Sequence, residues 1–150
     1  MHRWILLLVL VSPFAFAGNV EGLVSKPSPH GVAETLDRLE GVLEDKGIRV
    51  ALRWPHGDRA SGAGIELRET AVLVFGNPKI GSHLMTSRQT AGIDLPMKAL
   101  AWRDADGQVW LGYNDPEWIA RRHGIDDRDD VIEKMSKALD GLTDAAVAPE

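Results

Sequence analysis

The sequence predicts an α+β fold in which helices pack on one face of a mostly antiparallel sheet. Three observations carry that expectation. Short apolar runs, alternating or rich in β-branched residues, recur between Gly, Pro and Asn turn signals, as strands do. Two longer segments carry apolar residues at spacings of three and four, as amphipathic helices do. Hairpin turns outnumber the long helical crossovers that a parallel sheet needs.

The first seventeen residues stand apart from that domain. Met1-His2-Arg3 is a short positive start, Trp4 to Val11 is unbroken apolar sequence, Ser12-Pro13 interrupts it, and Ala15-Phe16-Ala17 is a small-x-small cleavage signal. This is the layout of a secretory signal peptide, with cleavage expected after Ala17. The apolar run is well short of the roughly 20 residues a membrane span requires. The expected organisation is a signal peptide over 1–17, one domain over 18–143 and a flexible tail over 144–150.

Within the domain, Gly18 to Lys26 reads as a first strand. Ser28-Pro29 then supplies a helix cap followed by a proline at the first helical position. The helix that follows, to about Lys46, carries the stripe Val32, Leu36, Leu39, Val42 and Leu43, and Gly47 stops it. Ile48 to Trp54 alternates as a half-buried strand does. Pro55 ends it, and His56-Gly57-Asp58 reads as a turn.

Residues 59–69 fit no single element and leave room for a short strand. Thr70 to Phe75 reads as a buried central strand, stopped by Gly76-Asn77-Pro78. A short helix is expected over Ile80 to Gln89. Met97 to Trp102 and Gln108 to Tyr113 form a hairpin about Asp104-Ala105-Asp106-Gly107. Asp115-Pro116 opens a helix ending near Gly124, and Asp126 to Leu142 a last one, with Val131, Ile132, Met135, Leu139 and Leu142 on one side.

Composition excludes several functions. Formal net charge is −5, and loss of the leader removes one base, Arg3, and no acid, giving −6. That weighs against broad binding to nucleic acid or to anionic membranes. The chain has no cysteine, so disulfides, thiolate zinc sites, iron–sulfur clusters and covalently attached haem are ruled out. A bacterial periplasmic or secreted protein fits these features best.

Several ordered segments together resemble the domain-of-unknown-function 302 family. Leu73-Val74-Phe75-Gly76-Asn77-Pro78-Lys79, followed by Gly81, Leu84 and Met85, is the most specific of them. Thr35, Leu36 and Leu39 in the first helix, Gly47-Ile48 leading to His56 and Ala60, Gly92-Ile93-Asp94-Leu95-Pro96, and Val109 to Pro116 complete the likeness, which spans roughly 20–140. The resemblance implies a compact α+β fold, similar to the TATA-binding-protein-like arrangement of helices on a curved antiparallel sheet. It implies no DNA binding and brings no agreed reaction or cofactor.

Candidate site residues gather at strand ends. His56, with Asp58 close by, can bind a metal or move a proton; the plainer reading is a histidine hydrogen-bonded to a carbonyl. Gly76, Asn77, Pro78 and Lys79 can hold an anion at the start of the following helix; the plainer reading is a rigid turn capped by Asn77. His56, His83 and Met85 together suggest a soft copper site or haem ligation, although Met85 also suits a core. Asp115 and the Asp126–Asp130 run read as helix starts and lack an EF-hand pattern. Trp54, Trp102 and Trp110 are expected to fill the core, and there is no Gly-x-Ser-x-Gly elbow.

The expectation is therefore a non-catalytic module that binds a small molecule or a periplasmic protein near His56 and Gly76 to His83. The first alternative is a copper- or haem-binding redox accessory protein. The second is a hydrolase or isomerase with His56 as general base. Pairing of a free sheet edge into a homodimer is also open.

Overall fold

The computed structural model of the chain describes residues 20–149. The expected signal peptide and its cleavage point lie outside the described residues. Five strands form one sheet: β1 (Leu23–Ser28), β2 (Arg49–Trp54), β3 (Thr70–Gly76), β4 (Met97–Arg103) and β5 (Val109–Asn114). Their order is β1-β5-β4-β3-β2, and every neighbouring pair is antiparallel. The helices are α1 (Val32–Asp45), α2 (His56–Gly62), α3 (Pro78–Ser87), α4 (Pro116–His123) and α5 (Asp129–Val147), with a 3₁₀ turn over Gln89–Ile93.

Alternation along the strands sends one set of side chains to the helices. Leu73 and Phe75 of β3, Met97 and Ala99 of β4, and Leu111 and Tyr113 of β5 are buried against α1 and α5. From α1 come Leu36, Leu39 and Leu43, each fully buried, and from α5 Ile132, Leu139 and Leu142. Each such leucine contributes about 1.5–3 kcal/mol through burial. The expected α1 stripe is thus the central layer of the core. The helix ends in a paired-carbonyl cap: Gly47 donates to the Glu44 carbonyl and Ile48 to that of Leu43. Gly47 has φ +65°, a conformation that favours glycine.

Polar contacts sew the layers together. Lys26 of β1 bonds Asp140 and Asp144 of α5, and Arg53 of β2 bonds Asp37 and Glu40 of α1.

Several local expectations are corrected. Ser28 is the last residue of β1, paired with Val109, and α1 begins four residues later after Gly31. Its hydroxyl bonds that of Thr35 at 2.7 Å inside the core, so strand pairing overrides the Ser-Pro cap signal. His56-Gly57-Asp58 opens the helix α2, and no strand forms over 59–69. The last helix starts at Asp129, three residues later than expected, because Asp126 to Arg128 form the connection from α4.

The expected frayed tail is also revised. Helix α5 continues to Val147 with Ala146 fully buried. The Arg38 guanidinium donates to the carbonyls of Ala146 and Ala148, and His30 Nε2 lies 2.8 Å from the Ala148 carbonyl.

The three strand tryptophans sit on the sheet face turned away from α1 and α5. Trp102 and Trp110 stack there with ring centroids 6.5 Å apart, and Trp54 is 37% exposed under the Arg59 guanidinium. Asp104 anchors this face. It accepts the Trp110 indole N–H at 2.8 Å and the amide N–H groups of Asp106 and Gln108. The indole hydrogen bond, reinforced by the Gln108 and Asp106 amides, holds the Asp104 carboxyl below its ordinary value of 3.8.

A carboxyl lowered on folding stabilises the fold above its unfolded pKa, and that contribution disappears as pH falls through the folded value. Acid titration of tryptophan fluorescence should therefore change below pH 3.8, and Asp104→Asn should flatten that change. An acid limb identical in the variant would remove Asp104 as its source.

Candidate functional site

The antiparallel register brings one end of each of three strands to the same sheet edge. Arg49, which opens β2, lies opposite Gly76, which ends β3, and Met97, which opens β4, lies opposite Phe75. The chain leaves β3 through Asn77 and turns straight into α3. Asn77 Oδ1 accepts the Lys79 N–H at 2.9 Å, and Pro78 takes the first helical position. Gly76 suits the corner because a Cβ there would come within 3.2 Å of Pro96 Cβ. Helix α5 contributes Met135, Leu139 and Leu142 to the lining.

These elements enclose an apolar cavity of about 330 Å³, at the lower end of the range for small-molecule sites. Its floor is Phe75 and Met97, with Ile80, Met85 and Leu95 along one wall and the α5 side chains along the other. All three methionines beyond Met1 line it. Thioether side chains adapt to the shape of an occupant at little cost. Of the eighteen lining residues, only Arg49, Asn77 and Ser82 bear a polar side chain.

The structure divides the candidates chosen from sequence. Gly76, Asn77, Pro78 and Met85 meet in this pocket. Lys79 and His83 lie exposed on α3, outside its lining. His56 and Asp58 are at the opposite edge of the sheet, because Trp54 pairs with Val72 while Arg49 pairs with Gly76. The seven residues of β3 separate the two edges by roughly 20 Å. His56, His83 and Met85 therefore do not converge. The copper or haem site drawn from those three loses its geometric basis, and so does a pocket containing both His56 and Gly76.

A second polar cluster was not anticipated. His123, at the end of α4, has its Nε2 2.6 Å from Asp94 Oδ2 and its Nδ1 2.9 Å from the Thr90 hydroxyl. Arg122 donates to Asp94 Oδ1 at 2.8 Å. The side chains of His123 and Asp94 are 7% and 9% exposed. A carboxylate only accepts, so His123 Nε2 carries the proton of its bond to Asp94.

That line resembles an activated hydroxyl, but Thr90 stands exposed on the 3₁₀ turn and outside the pocket lining. The cluster acts as a clamp, tying α4 to the segment that continues into Leu95 and Pro96 of the pocket wall. Its members are 29 and 33 residues apart in sequence, with no motif spacing to reveal them.

Comparison with known proteins agrees with the fold. The family model described as domain of unknown function DUF302 matches residues 24–142. The crystal structure of an uncharacterized conserved DUF302 protein from Bacillus stearothermophilus superposes with a TM-score of 0.76 at 18% identity, covering 85% of this chain and 99% of that one. Among curated proteins, fluoride-specific ion channel FluC 1 of Brucella suis is 45% identical over 113 residues, 75% of this chain and 44% of that protein. FluC 1 of Brucella abortus matches at the same identity over 42% of its length. The chain thus spans less than half the length of these curated relatives. Among the described residues, no helix is long and apolar enough to cross a membrane.

Proposed function

We propose that this chain, which belongs to the domain of unknown function DUF302 family, is an exported, non-catalytic binding module whose pocket beside Gly76 takes a small, mainly apolar ligand. The observation that carries the reading is the cavity: about 330 Å³ of concave space, walled by apolar side chains, with its polar groups confined to three residues. Sites of this kind bind through area removed from water and orient the ligand with a few polar contacts. Among the described residues, no histidine or carboxylate lines the pocket, and the chain has no cysteine, so the lining offers no group for general acid–base or thiol chemistry.

The channel-named relatives carry a matching segment within longer chains. Conduction is not proposed for this chain.

Titration with a neutral environment-sensitive fluorophore such as N-phenyl-1-naphthylamine tests the reading. Saturable one-to-one enhancement is expected, with a thermal upshift that grows with probe concentration. At a hundred times Kd the linkage stabilises the fold by about 2.7 kcal/mol. Linear, non-saturating fluorescence with an unmoved melting temperature would remove the proposal.

A further inference from the structure

The pocket's polar edge has one sign. Among the described residues, Arg49 is the only charged one that lines the cavity. Its place opposite Gly76 puts it at the mouth, and it is solvent-exposed. Every other arginine among the described residues has a partner for its guanidinium. Arg53, Arg103, Arg121, Arg122 and Arg128 pair with carboxylates; Arg38, Arg68 and Arg88 donate to carbonyls; Arg59 covers Trp54. Arg49 alone among them has no such partner.

Two acids, Glu40 and Glu44, line an adjoining groove together with Arg49. Glu40 is engaged by Arg53, and neither acid pairs with Arg49 within 4 Å.

The other polar groups at the mouth are donors as well. Asn77 Oδ1 accepts from the Lys79 amide, which leaves the Asn77 NH₂ available as a donor. Ser82 adds a hydroxyl. A guanidinium, an amide NH₂ and a hydroxyl at the mouth of an apolar cavity match an acceptor-rich, negatively charged head on an apolar tail. At roughly 30 Å³ per water-sized group, the cavity holds a tail of about ten carbons.

We infer that the ligand is an amphipathic monoanion, with a carboxylate or phosphate head on Arg49, Asn77 and Ser82 and a single chain of about ten carbons in the cavity. This rests on the reading of the pocket as a ligand site.

Calorimetric titration with decanoate, decyl phosphate and decan-1-ol, each below its micelle concentration, tests the inference on the intact chain and on Arg49→Gln. Decanoate or decyl phosphate should bind about tenfold or more tighter than decanol, the worth of one charge-assisted hydrogen bond. Which of the two anions binds tighter identifies the head. From hexanoate to decanoate, each added methylene should tighten binding about fourfold, with no further gain beyond the cavity's length. Arg49→Gln should erase the preference for the anion, weakening the anions far more than decanol. Equal affinity for decanol and both anions, or unchanged anion binding in Arg49→Gln, would overturn the inference while leaving the pocket reading standing. Failure of all three compounds to bind the intact chain would overturn both.

Discussion

Asp94→Ala is expected to lower the unfolding free energy by about 2–4 kcal/mol, a large change for a residue outside the hydrophobic core. The carboxylate accepts from His123 Nε2 and from Arg122, and both it and the imidazole are almost fully covered. Its removal leaves a buried imidazole nitrogen without an acceptor, at a cost of about 1–3 kcal/mol, and removes a hydrogen bond to a charged group besides. Thr90 bonds the opposite ring nitrogen, so the imidazole joins α4 to this segment on both sides.

Asp94→Asn keeps an acceptor facing His123 and should lose about 1 kcal/mol. The stringent measurement is a double-mutant cycle by denaturant unfolding. Asp94→Ala and His123→Ala should together cost less than the sum of their separate effects, with a coupling of about 1 kcal/mol or more. Strict additivity would show that the two side chains are merely neighbours. Because Asp94 continues directly into Leu95 and Pro96, the same variant should also weaken ligand binding at the pocket.

That clamp marks a boundary of what can be read without coordinates. The α1 stripe was legible because an amphipathic helix writes its buried face as a period, and Leu36, Leu39 and Leu43 are fully buried as that period requires. The Asn77-Pro78 corner was legible because cap and proline chemistry is local, and the Lys79 amide does bond Asn77. Helix α2 was not legible. It is short and buries no residue, so it carries no period, and its Gly and Asp imitate a turn. Ser28 misled for the opposite reason: a strong local signal lost to pairing with Val109 on a strand remote in sequence.

The candidate site divides along the same line. Its corner could be read, but its body could not, because Met97, Met135 and Leu139 look the same in sequence whether they fill a core or wall a cavity. Grouping His56 with Gly76 missed a consequence of the expected fold itself. Consecutive antiparallel strands end at opposite sheet edges, so residues just past β2 and just past β3 cannot share a site. Arg49, at the start of β2, was the residue that this rule places beside Gly76.

Gly81→Leu is expected to weaken binding of a ten-carbon ligand about a hundredfold while leaving the fold at least as stable. Gly81 lies inside α3 and lines the pocket, and a Cβ built there meets only Leu95 Cδ1, at 3.7 Å. The first added carbon is therefore accommodated. Replacing glycine in a helix interior favours folding by up to about 1 kcal/mol. The remaining carbons of leucine have the cavity in front of them, and each chain carbon they displace forfeits about 0.8 kcal/mol of burial. Three or four displaced carbons correspond to about a hundredfold in Kd.

Gly81→Ala separates the two effects, because it gains the helix propensity without filling the space. It should raise the melting temperature and bind nearly as the natural chain does. Calorimetric titration of both variants decides the matter. If leucine at this position leaves affinity untouched while the protein stays folded, the ligand lies elsewhere on the molecule. If alanine alone abolishes binding, flexibility of α3 rather than the volume of the cavity governs access, since a single methyl group in ordinary contact with Leu95 takes too little room to exclude a ten-carbon chain.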